Sequence, residues 1–160
     1  MSENNLQKTR GEIAYDLFKE GYNCTQAVVG AFAEEIKEKT NMDFDTAMRL
    51  ASSFGGGMGR MREVCGAVSG MFMVAGILRG YDDPKDTAAK QHHYALIQRM
   101  AMMFKEENGS IICRDLLSGV NLTQGSAPTP RTSEFYKKRP CTEIVRCAAD
   151  IAEKVLLNEI

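Results

Sequence analysis

The sequence has no block of lysine and arginine residues and no apolar run long enough to cross a lipid bilayer. Its formal net charge is only −1, so no overall field attracts nucleic acid or an anionic membrane surface. The longest uncharged apolar stretch covers residues 64–78, whereas spanning a bilayer takes roughly 20 apolar residues. We therefore predict that this stretch is a buried central helix and that neither nucleic acid nor a membrane is a partner.

A secretory signal is also missing. Residues 1–10 are polar and lack the apolar centre of a signal peptide, which predicts a cytoplasmic protein. Cytoplasmic thiols are held reduced, so the five cysteines are not expected to form a structural disulfide framework. Their odd number leads to the same expectation.

Several sequence motifs of common enzymes are absent. There is no Cys-x-x-Cys pair, which removes the signature of thioredoxin-like chemistry and of zinc ribbons. The glycine-rich run 55–59 lacks the Gly-Lys-Ser/Thr ending of a phosphate-binding loop. Only two histidines are present, and neither is part of a Glu-x-x-His motif of the di-iron bundles. Chemistry, if there is any, is expected to depend on the cysteine thiols.

The apolar residues recur at helical spacing, and no segment alternates with period two. The chain of 160 residues is long enough for one domain with its own core. We predict an all-α fold, a compact single-domain helical bundle over residues 1–160 with about five to seven helices. The polar segment 118–139 is predicted to be one long loop before the last helix.

Local signals predict where individual helices begin and end. Asn23 is a candidate N-cap for a helix that continues into the charged run 34–39. Residues 82–84 (Asp-Asp-Pro) are start signals for a long helix, and Ser110 is a candidate cap for a short one. Pro140 is expected at the start of the last helix.

Four of the five cysteines fall near predicted helix N-termini: Cys24, Cys65, Cys113 and Cys141. A helix N-terminus carries about half a positive charge and free N–H groups, which stabilise a thiolate and lower its pKa. Cys147 lies inside the last predicted helix, on a different face from Cys141, and we interpret it as structural.

Basic residues are near three of these cysteines along the chain: Arg60, Arg62, Arg114, Lys137, Lys138 and Arg139. They strengthen the prediction of lowered thiol pKa values. We expect Cys65 to be the attacking thiolate and one of Cys24, Cys113 or Cys141 to resolve it. Such chemistry requires at least three of the four sulfurs to meet in one pocket, near the loop that leads to Cys141.

Two alternatives use the same residues differently. Cys24, Cys65, Cys113 and Cys141 could instead be metal ligands that hold zinc or an iron–sulfur cluster. They could also be inert core residues of a helical scaffold, since free cysteine often behaves as a small apolar residue. The glycines in the run 55–59 could let backbone approach a reactive sulfur or a ligand closely. Gly66 and Gly70 lie on one helix face, where the absence of side chains lets another helix approach and places Cys65 at a crowded helix crossing. The alternative is that all these glycines only serve packing.

The cysteine pattern resembles a known family. Cys24, the segment 65–70 (Cys-Gly-Ala-Val-Ser-Gly), Cys113 and Cys141 together resemble the redox-active protein family C_GCAxxG_C_C, with a likeness that covers residues 23–152. The resemblance implies that these four cysteines carry thiol–disulfide or electron-transfer chemistry, as in a thiol-based oxidoreductase, while Cys147 is outside the pattern. It implies a redox partner or a small molecule as the binding partner, and thiol chemistry itself requires no cofactor.

Overall fold

The computed structural model describes residues 7–158, which form nine α-helices and no β-strand. The helices are α1 (Arg10–Lys19), α2 (Cys24–Ala31), α3 (Ala33–Thr40), α4 (Phe44–Ala51), α5 (Gly66–Arg79), α6 (Thr87–Asn108), α7 (Cys113–Leu116), α8 (Ser133–Lys138) and α9 (Cys141–Ala152). A 3₁₀ turn, Ser52–Phe54, follows α4, and a π-helical turn, Glu153–Asn158, follows α9. The predicted all-α class is confirmed. Residues 1–6, part of the segment used to predict the absence of a signal peptide, lie outside the described residues.

The helices α2 and α5 cross at the centre of the core. Helix α2 packs against α1, α4, α5 and α9, and most of its residues are buried. Helix α5 is buried along its first turns, which confirms the prediction of a buried helix in the stretch 64–78. A Cβ atom added at Gly70 would lie 2.9 Å from Val28 Cβ, so the absence of a side chain lets the two helices approach closely.

Several predicted helix ends are confirmed. The Asn23 side chain accepts a hydrogen bond from the Gln26 backbone N–H at 2.9 Å, and the Gln26 side chain accepts one from the Asn23 N–H at 3.1 Å. This capping box satisfies donors that would otherwise lack a partner at the start of α2. Pro140 is the N-cap of α9, as predicted, and Gly80 and Gly109 are the C-caps of α5 and α6.

Two predicted helix starts are wrong. Helix α6 begins at Thr87 rather than at residues 82–84, because the Asp86 side chain accepts the Ala89 backbone N–H at 2.9 Å. Ser110 is not the N-cap of α7, a position that Ile112 occupies. The Ser110 hydroxyl instead accepts the Ile112 N–H at 3.0 Å, one residue before the helix starts.

The described residues form more helices than the five to seven expected, for two local reasons. The helix predicted to run from Asn23 into the charged run is divided at Phe32, which leaves the helical conformation (φ −108°, ψ 20°) between α2 and α3. The predicted loop 118–139 also contains a helix, α8, because the Thr132 side chain accepts the Phe135 backbone N–H at 3.2 Å and caps it. The irregular connection is therefore shorter than predicted and covers residues 117–132.

Among the residues that the structure describes, no helix is both long enough and apolar enough to cross a membrane.

Candidate functional site

The four cysteines near predicted helix starts line a single cavity of about 330 Å³. We call them the cavity cysteines: Cys24, Cys65, Cys113 and Cys141. Cys24, Cys113 and Cys141 are the first residues of α2, α7 and α9, and Cys65 is the N-cap of α5. The predicted positions at helix N-termini and the predicted convergence on one pocket are both confirmed.

Gly66 makes the approach of α5 to Cys24 possible. A Cβ atom at Gly66 would collide with the Cys24 sulfur and would lie 2.6 Å from Thr25 Oγ1. The Thr25 hydroxyl donates a hydrogen bond to the Gly66 carbonyl at 2.8 Å, which fixes the start of α5 against the start of α2. The close helix approach expected at this glycine is confirmed, and the room it leaves for the Cys24 sulfur is an additional finding.

A short pair of antiparallel chain segments places Cys65 beside Cys113. Val64 and Ile112 form an isolated β-bridge. On either side of it, the Cys65 N–H donates to the Ile111 carbonyl at 2.8 Å and the Cys113 N–H donates to the Glu63 carbonyl at 2.6 Å. Sequence reasoning could not predict this pairing, because a single bridge leaves no alternating pattern.

The glycine-rich run 55–59 packs against the residues beside this bridge. Gly57 has φ +74°, and a Cβ atom there would lie 2.7 Å from Cys113 Cβ. Three neighbouring residues that are not glycine, Met58, Arg60 and Arg62, also have left-handed backbone conformations. Such conformations are costly outside glycine and concentrate at functional sites.

Four arginines line the same cavity: Arg60, Arg62, Arg131 and Arg139. Three of them were among the cations predicted near the cysteines. Arg114 and Lys138, two other predicted cations, do not line the cavity. Arg114 forms an ion pair with Glu63 at 2.9 Å, and Lys138 forms one with Glu134 at 2.7 Å. Sequence reasoning missed Arg131. Its only available signal was that it is the single charged residue in the segment 118–133.

The loop 117–132 lies at the cavity, as predicted, and contributes Ser126, Pro128 and Thr129 to its wall. Arg60 holds this loop in place. Its guanidinium donates to the Gly125 carbonyl at 3.0 Å, to Thr129 Oγ1 at 3.1 Å and to Thr123 Oγ1 at 2.9 Å.

The prediction of lowered thiol pKa values is wrong for three cavity cysteines. Burial raises the pKa of Cys65 well above its ordinary value, although the Ala67 and Val68 N–H groups act in the opposite direction. Burial also raises the pKa of Cys113, against a hydrogen bond from Arg62 that lowers it, and raises the pKa of Cys141 to about 12. The loss of hydration around a buried thiolate thus outweighs the favourable helix N-terminus. These three sulfurs are thiols at neutral pH.

Residues 22–155 match the model of a protein family described as "Putative redox-active protein (C_GCAxxG_C_C)". The chain belongs to this family. All four cavity cysteines lie within the matched residues. No curated protein and no solved structure matches the chain significantly.

In this C_GCAxxG_C_C protein, Cys147 lies outside the cavity, as predicted. Its thiol donates to Glu107 Oε2 at 3.2 Å and accepts a hydrogen bond from Asn108 Nδ2 at 3.4 Å. Burial raises the pKa of Cys147 to about 11. It is a partly buried thiol with local partners on α6.

The cavity cysteines are free thiols and are not arranged as metal ligands. Within residues 7–158, no group of three or more histidine, cysteine, aspartate or glutamate side chains is positioned to hold a metal ion. A zinc ion needs its sulfur ligands within about 2.3 Å of one point. The zinc or iron–sulfur alternative would therefore require the cavity cysteines to move closer together.

Proposed function

We propose that the chain is a thiol–disulfide oxidoreductase whose working sulfurs are the cavity cysteines, Cys24, Cys65, Cys113 and Cys141. The observation that supports this proposal is their arrival from four separate helix starts at one cavity. Cysteines used only as small apolar residues are expected to be scattered through a core. Disulfide exchange, in contrast, needs sulfurs that can reach one another and a substrate.

Within this proposal, Cys24 fits the attacking role better than Cys65, which the sequence had favoured. An attacking thiol needs access to the substrate, and Cys65 is only 6% exposed whereas Cys24 is partly exposed. The charge of an ionised Cys24 raises the pKa of Cys65, Cys113 and Cys141. Cys24 is therefore near enough for its charge to act on all three of the other cavity cysteines.

Cys65 is our choice for the resolving thiol. It is next in sequence to Gly66, against which the Cys24 sulfur packs. Cys24 is also the neighbouring charge that most strongly raises the Cys65 pKa. A disulfide requires Cα atoms about 4.4–6.8 Å apart, and the contact of α2 with α5 at Gly66 supports such a pairing after a small local movement.

The proposed reaction balances in two steps. The Cys24 thiol loses its proton to solvent, and the resulting thiolate attacks a substrate disulfide, forms a mixed disulfide and releases one substrate thiolate. The Cys65 thiol then loses its proton, attacks the Cys24 sulfur and releases the second substrate thiolate. The substrate gains two electrons and becomes two thiols, while the protein is oxidised to a Cys24–Cys65 disulfide. A cellular dithiol would return the protein to its reduced form.

The test is to oxidise the reduced protein with a small neutral disulfide, 4,4′-dithiodipyridine, and to follow the released thiol by absorbance. Digestion without reductant and mass spectrometry then identify the disulfide that forms. We expect a Cys24–Cys65 disulfide and two thiol equivalents released per chain in the fast phase. In Cys24→Ser the fast phase should disappear.

Cys147→Ser is the matched control, since it removes a partly buried thiol outside the cavity. It should leave the fast phase and the disulfide unchanged. If Cys147 reacts first, or if no disulfide forms among the cavity cysteines, the proposed function is wrong and the inert-scaffold alternative is favoured.

A further inference from the structure

The cavity wall carries an unusual excess of positive charge. Four arginines line it, whereas no aspartate or glutamate among the described residues does. The whole chain has a formal net charge of only −1, so this local excess does not reflect its composition. All four arginines are partly buried, and removing charges from water is costly unless they have partners, so the function of each arginine has to be explained.

Two of the four arginines are each held by two or more hydrogen bonds of 3.2 Å or less. Arg60 holds the loop 117–132 through the contacts described above. Arg131 donates to the Phe18 carbonyl at 2.8 Å and to the Tyr22 carbonyl at 3.0 Å. Its guanidinium also lies over the Phe18 ring, 4.1 Å from the ring centroid. These two side chains build the walls of the cavity.

Arg62 and Arg139 remain without a negative partner. The Arg62 Nη2 atom is buried and has no hydrogen-bond partner. Arg139 lies over the Phe135 ring, 4.5 Å from the ring centroid, and the hydrogen bond of its Nη2 atom to Thr129 Oγ1 is long, at 3.4 Å. The neighbouring carboxylate of Glu63 is not available, because it pairs with Arg114. No ion pair involves Arg62 or Arg139 in the described part of the chain.

The position of Arg62 connects the positive charge to the thiols. A Cβ atom at Gly57 would lie 2.8 Å from Arg62 Cα and 2.7 Å from Cys113 Cβ, so the two residues are neighbours. Burial has the larger effect and raises the pKa of the Cys113 thiol, while Arg62 lowers it. Burial lowers the pKa of Arg139, and repulsion from Arg62 and Arg60 lowers it further, so the three cations are close enough to act on one another. A carboxylate that bound between them would lie beside the cavity cysteines.

We propose that this site takes a small disulfide bearing carboxylate groups, with Arg62 and Arg139 binding the carboxylates. The inference rests on the proposed function for its redox step, which is the two-step exchange given above. A guanidinium binds a carboxylate through two parallel hydrogen bonds, which fixes orientation as well as position. The cavity volume of about 330 Å³ lies in the range of small-molecule sites.

The test compares three disulfides with the same chain length and different charge. They are 3,3′-dithiodipropionate (anionic), bis(2-hydroxyethyl) disulfide (neutral) and cystamine (cationic). We expect the reduced protein to react fastest with the anion and slowest with the cation, with a ratio of about tenfold or more. Arg62→Gln and Arg139→Gln should each reduce this ratio, because each removes a carboxylate partner.

Arg49→Gln is the matched control, since Arg49 is an exposed arginine that does not line the cavity. It should preserve the charge preference. Equal rate constants for the three disulfides in the wild-type protein would overturn the proposal, and so would a preference that Arg49→Gln reduces as much as Arg62→Gln.

A second measurement separates anion binding from redox chemistry. Octanedioate has the length of dithiodipropionate but no sulfur, and its binding can be measured by calorimetry. We expect it to bind the wild type and Cys24→Ser equally, and Arg62→Gln about tenfold more weakly. Octanedioate binding without any disulfide reduction would refute the proposed function but support the anion site. Disulfide reduction without charge preference or octanedioate binding would support the proposed function and overturn the anion site.

Discussion

The raised pKa of Cys141 predicts that the protein loses stability between pH 8 and pH 10. Burial raises this pKa from 9.0 to about 12 in the folded protein. Below about pH 9 the sulfur keeps its proton in both the folded and the unfolded states, so its contribution to stability is fully present. Above about pH 9 the unfolded chain releases the proton while the folded protein retains it. Stability therefore falls as the pH rises towards the folded-state pKa.

The size of the effect follows from this difference in protonation. In the window between the two pKa values, the free energy of unfolding falls by about 1.4 kcal/mol for each pH unit. For an unfolded-state pKa of 9.0, the partial ionisation on either side of pH 9 gives an expected loss of about 1.4 kcal/mol between pH 8 and pH 10. Cys65 and Cys113 shift in the same direction and add to the total loss.

The assay is urea unfolding at pH 8 and pH 10 with a phosphine reductant, followed by circular dichroism. The wild type is compared with Cys141→Ser, which removes the titrating thiol. Any cost of the serine hydroxyl itself is the same at both pH values and cancels in the comparison. We expect the wild type to lose about 1.4 kcal/mol more than the variant. If both proteins lose the same stability, burial does not hold the Cys141 thiol protonated, and the reasoning fails.

Three further predictions concern glycine packing, the loop and metal content. Gly66→Ala should lower the free energy of unfolding by about 1–3 kcal/mol, because the added Cβ atom would collide with the Cys24 sulfur. Gly76→Ala is the control, since a Cβ atom there would meet no atom within 4 Å. It should not destabilise the protein in the same urea titration. Arg60→Gln should make the loop 117–132 more accessible to limited proteolysis, since hydrogen bonds from a charged donor contribute about 1.5–3 kcal/mol each; an unchanged cleavage rate would contradict its holding role. Anaerobically purified protein should contain no stoichiometric zinc or iron by elemental analysis. One zinc ion or one iron–sulfur cluster per chain would contradict this prediction and favour the metal-binding alternative.

Local features of the fold were predictable because they depend on neighbours in sequence. The capping box at Asn23 is formed within four residues, so its sequence signature was enough to place the start of α2. The start of α6 was predicted too early because residues 82–84 and Asp86 present similar signals. The side-chain hydrogen bond of Asp86 to Ala89 decided between them.

The burial of the site was not predictable in the same way. The sequence placed the cavity cysteines at helix N-termini, and the structure confirms those positions. The direction of the pKa shifts depended instead on how much water each sulfur loses, which is a property of packing. Arg131 is a similar case, because nothing near it in sequence shows that it reaches back to the carbonyl groups of Phe18 and Tyr22.

The sequence by itself determined the helical class, several helix ends and the placement of four thiols at helix starts, because these follow from spacing and capping over a few residues. Tertiary structure alone decided that the four thiols share one cavity, that burial keeps three of them protonated and that four arginines surround them. These properties arise from contacts between residues far apart in the chain, such as Gly66 with Cys24 and Gly57 with Cys113. No local sequence pattern predicts such contacts, because their free energy depends on the packing of whole helices rather than on residues that are neighbours in sequence.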